Sequence, residues 1–480
     1  MSRRRPACLV SLLLLLFLAA ACRSAPPVRR PARSVILISI DSLRADHVGC
    51  YGYQKPTTPA LDRFAAGAVR FANAYAVSSW TLPSHASMFT GLYEDAHLAF
   101  ANNSRMDDDN VTLAEAFQAA GYETAAIVCA PFLRREYNIQ QGFASYDQEI
   151  AETRRPTIRK VKTSRQVTDK ALAILKERAA SPRPFFLFVH YWDVHYDYNP
   201  PDEYTAMFDP DYRGAIDGLN ISKRQDLQPG MDPRDLAHLI ALYDGEIRYT
   251  DDHLAELLAF IDGSTLAADT AVVITADHGD EFLEHGSTGH TFTCYEELVR
   301  IPLLIRAPGL VVRTPVVDAP IENVDLYPTL LSLAGLPPVK RPIQGYDLRP
   351  LIEKGEAPPR QELYCETRMG RRYGWHGQKG IWRSLSRLDG KKIHEFRGHK
   401  THTSEYELYD LKNDPRELTN LVELNAELLA KIKSELYRRH RASLELAGDL
   451  NLQDARQKKG GDAGKDDALR DQLKGLGYVQ

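Results

Sequence analysis

Short runs of β-branched and other apolar residues recur along the chain at Val35 to Ile40, Thr124 to Val128, Phe185 to Val189, Ala271 to Thr275 and Pro302 to Ile305. Each has the length of a buried strand, so together they predict a largely parallel sheet covered on both sides. Between these runs the apolar positions fall at helical spacing. Pro59 after Thr58 opens an amphipathic stretch predicted to reach Tyr75, with Leu61, Phe64, Ala68 and Phe71 on related faces. Thr112-Leu113-Ala114-Glu115 is a capping box whose helix should stop at Gly121, and Thr168 to Ala179 and Leu236 to Ile261 are further helices. Strands alternating with helices predict an α/β fold: an α/β/α sandwich around a large, mostly parallel mixed sheet.

Glu353 to Arg360 reads as a linker, beyond which the apolar runs shorten and turns become frequent. A smaller C-terminal α+β domain with an antiparallel sheet is expected there, closed by a helix from about Asn425 to Leu446. The expected organisation is a catalytic unit over residues 34–350, a C-terminal subdomain over 361–446 and a polar tail over 447–480. The tail has too few apolar residues to pack alone, although Leu476 to Val479 could dock.

At the other end, Arg3 to Arg5 precede an apolar run from Leu9 to Ala21 that is too short to span a bilayer comfortably and reads as a signal peptide over residues 1–21. It closes on Ala19-Ala20-Ala21-Cys22, which resembles the lipobox of bacterial lipoproteins and would make Cys22 a lipidated N-terminus; the alternative is an ordinary signal peptide that a cysteine happens to follow. Proline-rich residues 22–33 then form a tether. The expectation is an exported protein, anchored to a membrane as a lipoprotein in the periplasm or at the cell surface. Apart from Cys8 in the signal and Cys22, the cysteines are Cys50, Cys129, Cys294 and Cys365, one per segment, with no CxxC pair or disulfide framework visible.

The 480 residues are 44% hydrophobic, enough for one large core and a smaller unit besides. A formal net charge of -4 offers no basic field for phosphate backbones, which argues against nucleic acid as a partner. Nothing in the sequence bears on oligomeric state.

Sites in parallel sheets form where strands end at their carboxyl edge. The first strand runs into Asp41, the third into His190, and the fourth is followed by Asp277 and His278. Singly, each has a bland reading as a turn residue or helix cap; together, Asp41, Asp277 and His278 supply two carboxylates and an imidazole for one divalent cation. Nitrogen in the set shifts the expectation towards zinc or manganese, with calcium or magnesium possible. In Ser79 to Gly91, Pro83 and Gly91 frame a short helix with Thr81 just ahead of its N-terminus, where free amides favour an anion. A hydroxyl there needs a metal or a base to become a nucleophile.

These segments resemble the sulfatase family of the alkaline phosphatase superfamily, from about Val35 to Leu421. Asp41 to Gly52 looks like the family's N-terminal metal segment, and Thr81-x-Pro83-Ser84 with Thr90-Gly91 its nucleophile signature. Phe186 to His190 with His195 is similar to the paired-histidine segment, and Thr275 to Asp280 with Glu284-His285-Gly286 to the second metal segment. Tyr406 to Leu411 with Asn413-Asp414-Pro415 matches the C-terminal domain.

The departures matter. Sulfatases proper carry a cysteine or serine, oxidised to formylglycine, where Thr81 stands, and threonine cannot yield that aldehyde. His85 replaces the family's arginine and Ser42 its second N-terminal metal aspartate. Its two sulfate-gripping lysines are absent, with Cys129 or a neighbour near one position and His290 near the other. The set Asp41, Thr81, Asp277 and His278 looks more like phosphonate monoester hydrolases and the phosphoethanolamine and lipoteichoic acid transferases, whose metal-bound threonine takes a phosphoryl group. The resemblance therefore implies a covalent intermediate on Thr81, His195 and His290 contacting substrate, and one of them protonating the leaving group.

His85 is expected to bind substrate, against the simpler role of satisfying a buried carbonyl. His190 reads as structural beside His195, and no chemistry is assigned to Asp46, His47, His253, Glu284 or His285. A second cation on His85, His195, His290 and Asp193 ranks below the single-metal arrangement. The functional expectation is hydrolysis of a small-molecule or glycan ester, phosphate or phosphonate favoured over sulfate. The alternatives are phosphoryl transfer to an acceptor, and non-catalytic binding of sulfated or phosphorylated glycans.

Overall fold

Seven consecutive buried residues, Ser34–Ile40 (β1), lie inside an eight-stranded sheet. The other strands are Val69–Phe71 (β2), Glu123–Ile127 (β3), Ser145–Asp147 (β4), Phe185–Tyr191 (β5), Thr270–Ala276 (β6), Leu303–Arg306 (β7) and Val316–Val317 (β8). Their spatial order is β8-β2-β7-β6-β1-β5-β3-β4. The strands β6, β1, β5, β3 and β4 run parallel, whereas β7 is antiparallel to both β6 and β2, so the sheet is mixed. Strands β1, β5 and β6 are buried at every residue, which is why they read as unbroken apolar runs rather than alternating ones.

This computed structural model describes residues 30–452 apart from 103, 154–161 and 373–376. The expected signal peptide, Cys22, residues 22–29 of the tether and residues 453–480 of the tail lie outside the described residues. Among those described, no helix is long and apolar enough to cross a membrane.

Helices flank the sheet in two sets. Pro59–Ala65 (α1) and Ser164–Ala179 (α4) each pack on Pro233–Gly263 (α5), whereas Thr81–Thr90 (α2), Leu113–Ala119 (α3) and Leu326–Leu333 (α6) pack on one another. The capping box at Thr112 forms, with Glu115 N donating to Thr112 Oγ1 at 3.1 Å and Thr112 N to Glu115 Oε2 at 2.8 Å. One expected element is corrected. The helix opened by Pro59 ends at Ala65 instead of reaching Tyr75, because Val69 and Phe71 turn inward from an extended strand paired with Leu304 and Ile305. Two-residue alternation of Val69, Arg70 and Phe71 was hidden inside a window that also fits helical spacing.

The C-terminal region forms an antiparallel sheet of Glu362–Thr367 (β9), Gln378–Arg387 (β10), Lys391–Gly398 (β11) and Ser404–Asp410 (β12), in that order, with Arg371–Arg372 also pairing on β10. Helix Ala426–Asp449 (α7) packs on β10 and β11 and is capped by Asn425, whose side chain accepts from Leu428 N at 3.0 Å.

Candidate active site

Parallel register sets the site. Ile40 pairs with Ala276, so Asp41 and Asp277, each the next residue, emerge at one level of the sheet edge. Beyond Asp41 the backbone turns at Ser42, which adopts φ 57°, the left-handed region that a non-glycine residue enters only when its surroundings compel it. Here they do: Ser42 N donates to Asp277 Oδ1 at 3.2 Å, Ser42 Oγ to Asp41 Oδ1 at 2.9 Å, and Tyr243 OH to the Ser42 carbonyl at 2.7 Å. Gly279 has to be glycine, since a Cβ would lie 2.1 Å from the Glu297 carbonyl oxygen. His278 Nδ1 donates to the Gly279 carbonyl at 2.9 Å, which leaves Nε2 with its lone pair directed at the carboxylates. That Nε2 lies 3.3 Å from Asp277 Oδ2 and 3.9 Å from Asp41 Oδ1. Both His278 Nε2 and Asp277 Oδ2 are buried without a hydrogen-bond partner.

Thr81 is the first residue of α2, after an extended Trp80 that provides no side-chain cap. Pro83 lacks an N–H where a helix start would leave it unpaired, and Gly91 at φ 69° ends the helix. Ser84 Oγ donates to the Asp277 carbonyl at 2.7 Å and accepts from Asn323 Nδ2 at 2.8 Å, pinning this helix start to the end of β6. Thr81 Oγ1 then stands 3.5 Å from Asp41 Oδ2. Ligands about 2.1 Å from one cation in a tetrahedral shell lie roughly 3.4 Å from each other. The separations of Thr81 from Asp41 and of His278 from Asp277 and Asp41 suit such a shell, so these residues could hold a divalent ion.

His85 and His190 lie beneath this cluster. His85 Nδ1 donates to the Thr81 carbonyl at 2.8 Å, and its Nε2 accepts from Ser39 Oγ at 3.0 Å, so both nitrogens are engaged within the protein. The substrate contact expected of His85 would have to compete with these bonds. His190 was read as structural, yet its Nε2 comes within 3.2 Å of Asp41 Oδ2 and its ring sits 5.2 Å from that of His85. Its signal was its place at the carboxyl end of β5, in register with Ser39.

On the other side of His278 stand the two remaining histidines. The His290 ring is 4.2 Å from that of His278 and 4.7 Å from that of His195, which stacks on Trp192 at 3.9 Å. His290 Nδ1 meets Asp280 Oδ1 at 2.5 Å, and Asp280 Oδ2 accepts from Tyr198 OH at 2.6 Å. Asp280 was missed as a positioning residue, although the spacing Asp277-His278-Gly279-Asp280 carried it. Thr291, next to His290, is held at φ 89° by Thr291 N donating to the Ser79 carbonyl at 2.9 Å and Thr367 Oγ1 donating to the Thr291 carbonyl at 2.7 Å. Asp193 has another task. Its carboxylate accepts from Thr163 N at 2.9 Å and Ser164 N at 2.7 Å at the start of α4, which removes it from the second-cation arrangement.

Burial pushes the His85, His190 and His278 imidazoles down to about 4 and His290 to about 3, so all four are neutral near pH 7. Burial, and then the charge of Asp41, push Asp277 up to about 7. Neutral imidazoles beside an Asp277 carboxyl that resists ionisation would favour a cation among them. Outside the site, His285 is held by Glu297 Oε1 at 2.8 Å and the Glu417 carbonyl at 3.1 Å, and Glu284 Oε1 accepts from Arg44 Nη1 at 2.6 Å.

A buried carboxylate and imidazole set at the carboxyl edge of a mixed α/β sheet, joined by a hydroxyl at a helix start, defines a class of metal-dependent ester hydrolases. The family model described as Sulfatase matches residues 33–336, and that described as N-sulphoglucosamine sulphohydrolase, C-terminal, matches residues 284–442. The chain belongs to the sulfatase family, whose enzymes generally bind a divalent metal. It is 27% identical to an N-acetylglucosamine-6-O-sulfatase of Bacteroides thetaiotaomicron, over 84% of this chain and 85% of that one. It is 26% identical to arylsulfatase K of Gallus gallus, over 85% of this chain and 82% of that protein. Among solved structures, one of a protein in complex with its substrate D-glucosamine-2-N,6-O-disulfate superposes with TM-score 0.69 at 22% identity, covering 90% of this chain and 100% of that chain. Phosphonate monoester hydrolase of Agrobacterium radiobacter superposes with TM-score 0.66 at 21% identity, covering 86% and 96%.

Proposed function

We propose that the chain hydrolyses an anionic ester, phosphate or phosphonate in preference to sulfate, with the Thr81 hydroxyl as nucleophile. The observation that carries this reading is the position of Thr81 Oγ1, 3.5 Å from Asp41 Oδ2 at a helix start and beside the orphaned Asp277 Oδ2 and His278 Nε2. We read Thr81 as standing where sulfatases proper hold the residue that becomes formylglycine. Its β-carbon bears a methyl group, so oxidation would give a ketone and the aldehyde route is closed.

Asp41, Asp277 and His278, with Thr81, would hold one divalent cation, zinc or manganese by their donor types. Bound there, the ion would acidify the hydroxyl and offset the negative charge of the ester. Thr81 Oγ attacks the central atom in line with the departing oxygen, aided by the free amides at the start of α2. His290, whose Nδ1 meets Asp280 and whose ring lies 4.7 Å from that of His195, would contact the substrate together with His195. Burial keeps His290 neutral, and an anionic ester beside it favours the protonated form, so it can deliver a proton to the leaving group. Water then releases the group from Thr81. His85 is the residue of this reading with the weakest support, because both its nitrogens are engaged.

A second reading, hydrolysis of a sulfated sugar, draws support from the relatives, an N-acetylglucosamine-6-O-sulfatase and a protein bound to D-glucosamine-2-N,6-O-disulfate. One experiment separates the two. Purified protein and Thr81→Ala are assayed, each with several divalent metals, on matched aryl phosphodiester, phosphonate, phosphate monoester and sulfate substrates and on sulfated glucosamine. Loss of phospho-ester turnover in Thr81→Ala supports the first reading, and full activity in that variant sinks it. Turnover of sulfate alone selects the second. Product formed only with an alcohol acceptor would identify a transferase, and chelator-insensitive glycan binding without turnover a binding protein. Export and anchoring through Cys22 remain part of the proposal and would place the substrate outside the cytoplasm.

A further inference from the structure

Cys294 and Cys365 are separated by 71 positions in the sequence, and their sulfurs lie 2.9 Å apart. A disulfide bond measures about 2.05 Å, so less than ~1 Å of closure separates the two states. Cys294 follows the strained His290-Thr291 corner of the catalytic unit, and Cys365 lies within β9 of the C-terminal sheet. Both are buried, at 0% and 5% exposure, in an aromatic pocket of Tyr295, Trp382, Phe396 and Tyr409. No cysteine spacing in the sequence announces this pair; the fold alone brings it together.

We infer that Cys294 and Cys365 form a disulfide when the chain folds in an oxidising compartment, covalently fastening the segment that carries His290 to the C-terminal sheet. A dithiol so placed could instead hold a metal, but among the described residues no third histidine, cysteine or carboxylate joins the pair in a candidate ligand group. Among the described residues the other cysteines make no competing pair: Cys129 lies against His190, its sulfur donating to the His190 carbonyl at 2.7 Å, and Cys50 is next to Asp62, whose Oδ1 accepts from Cys50 N at 2.6 Å.

The segment is already held by weaker bonds to the same neighbour. Thr367 Oγ1 donates to the Thr291 carbonyl at 2.7 Å and Arg371 N to the Phe292 carbonyl at 3.1 Å. A disulfide would convert that docking into a permanent one, four residues from His290. The oxidant is a disulfide-bearing molecule, a thiol oxidase protein or oxidised glutathione. One cysteine thiolate attacks its disulfide, giving a mixed disulfide; the second displaces the oxidant's remaining sulfur. The two cysteines lose two electrons, and their protons end on the two thiols of the reduced oxidant. Burial raises the Cys294 thiol and makes it unreactive once enclosed, so the exchange belongs to folding, before β9 docks.

The test uses the full chain, purified after export into an oxidising compartment and, in parallel, unfolded, reduced and refolded with reduced and oxidised glutathione. Free thiols are blocked under denaturant without reductant, and the peptides are weighed. The expected result in either sample is a Cys294–Cys365 linked pair, lighter than the two thiol peptides together by two hydrogen atoms, with Cys50 and Cys129 blocked. Both Cys294 and Cys365 blocked in both samples, or either one linked to a different cysteine, overturns the inference. Protein refolded in reductant, with both thiols kept free, should melt a few degrees below protein refolded with the glutathione pair, whereas the Cys294→Ala/Cys365→Ala variant should melt alike after either refolding. An equal response of the two proteins would also overturn it.

Discussion

Two clusters of carboxylates and histidine differ in how their charge is met, and only one has the character of a metal site. At the end of the C-terminal sheet, Asp95, Glu366 and His440 come as close together as Asp41, Asp277 and His278 do at the edge of the parallel sheet. The first cluster is neutralised by its own chain. Arg383 Nε and Arg368 Nε each lie 3.0 Å from a Glu366 oxygen, and Asp95 is paired with both Arg368 and His440. Burial alone would raise Asp95, but His440 and Arg368 outweigh it and hold the carboxyl well below its usual range. Among the described residues, Asp277 has for ion-pair partners the imidazoles of His85 and His278, which burial keeps neutral, and its carboxyl is pushed up. Proximity of ligand atoms is common to both; the lack of an internal counter-charge sets one apart.

The sharpest way to break this comparison is to remove the charge from each cluster in turn. Asp277→Asn should abolish cation binding and lower turnover on the order of 10⁴-fold, about 5 kcal/mol of transition-state stabilisation. Because it removes a carboxylate that the metal-free fold holds at a cost, the metal-free Tm should not fall. Elemental analysis showing a full equivalent of metal in the variant would end the single-site assignment. Glu366→Gln should do the reverse. Two arginines lose a buried partner, so stability measured by denaturant unfolding should fall by about 3–5 kcal/mol, while metal content stays as in the parent. Chelation gives a smaller effect that discriminates between the same two clusters. Removing a metal previously present at about 100 times its Kd costs about 2.7 kcal/mol. That loss should appear in the parent and in Glu366→Gln but not in Asp277→Asn, and an equal loss in all three proteins would mean that the cation binds elsewhere.

How much of this could be read from the chain depended on whether the deciding contact was local. Asp41 and Asp277 were legible because each directly follows a strand whose unbroken apolar run marks it as buried, and parallel pairing does the rest. The capping box at Thr112 was legible for the same reason, its partners being three residues apart. Val69 to Phe71 was not, since pairing with a strand more than two hundred residues later decides between strand and helix there. Asp193 was weighed as a ligand because it is close to His195 in sequence, whereas a helix start thirty residues earlier claims it. His190 and Asp280 escaped because their roles lie in which atom each one faces, a matter of register and side-chain direction that composition does not carry. The uncompensated charge that separates the two clusters is likewise a property of the assembled fold.

The smallest expected effect addresses His85, where the sequence expectation and the observed bonding pull apart. Ser39 Oγ donates to His85 Nε2 at 3.0 Å while His85 Nδ1 donates to the carbonyl of Thr81, so the imidazole is a strut between β1 and the nucleophile's own backbone. Ser39→Ala removes one end of that strut and leaves a buried nitrogen without a partner, which should cost about 1 kcal/mol of stability. If His85 only positions Thr81, kcat should fall modestly, within about tenfold, and KM should stay constant, because the helix start shifts while the substrate keeps all its contacts. If His85 binds the ester, freeing its Nε2 should change KM instead. Steady-state kinetics of Ser39→Ala beside His85→Gln decide the matter: a strut predicts the same kcat-only signature in both variants, whereas a KM change in both would return His85 to the substrate.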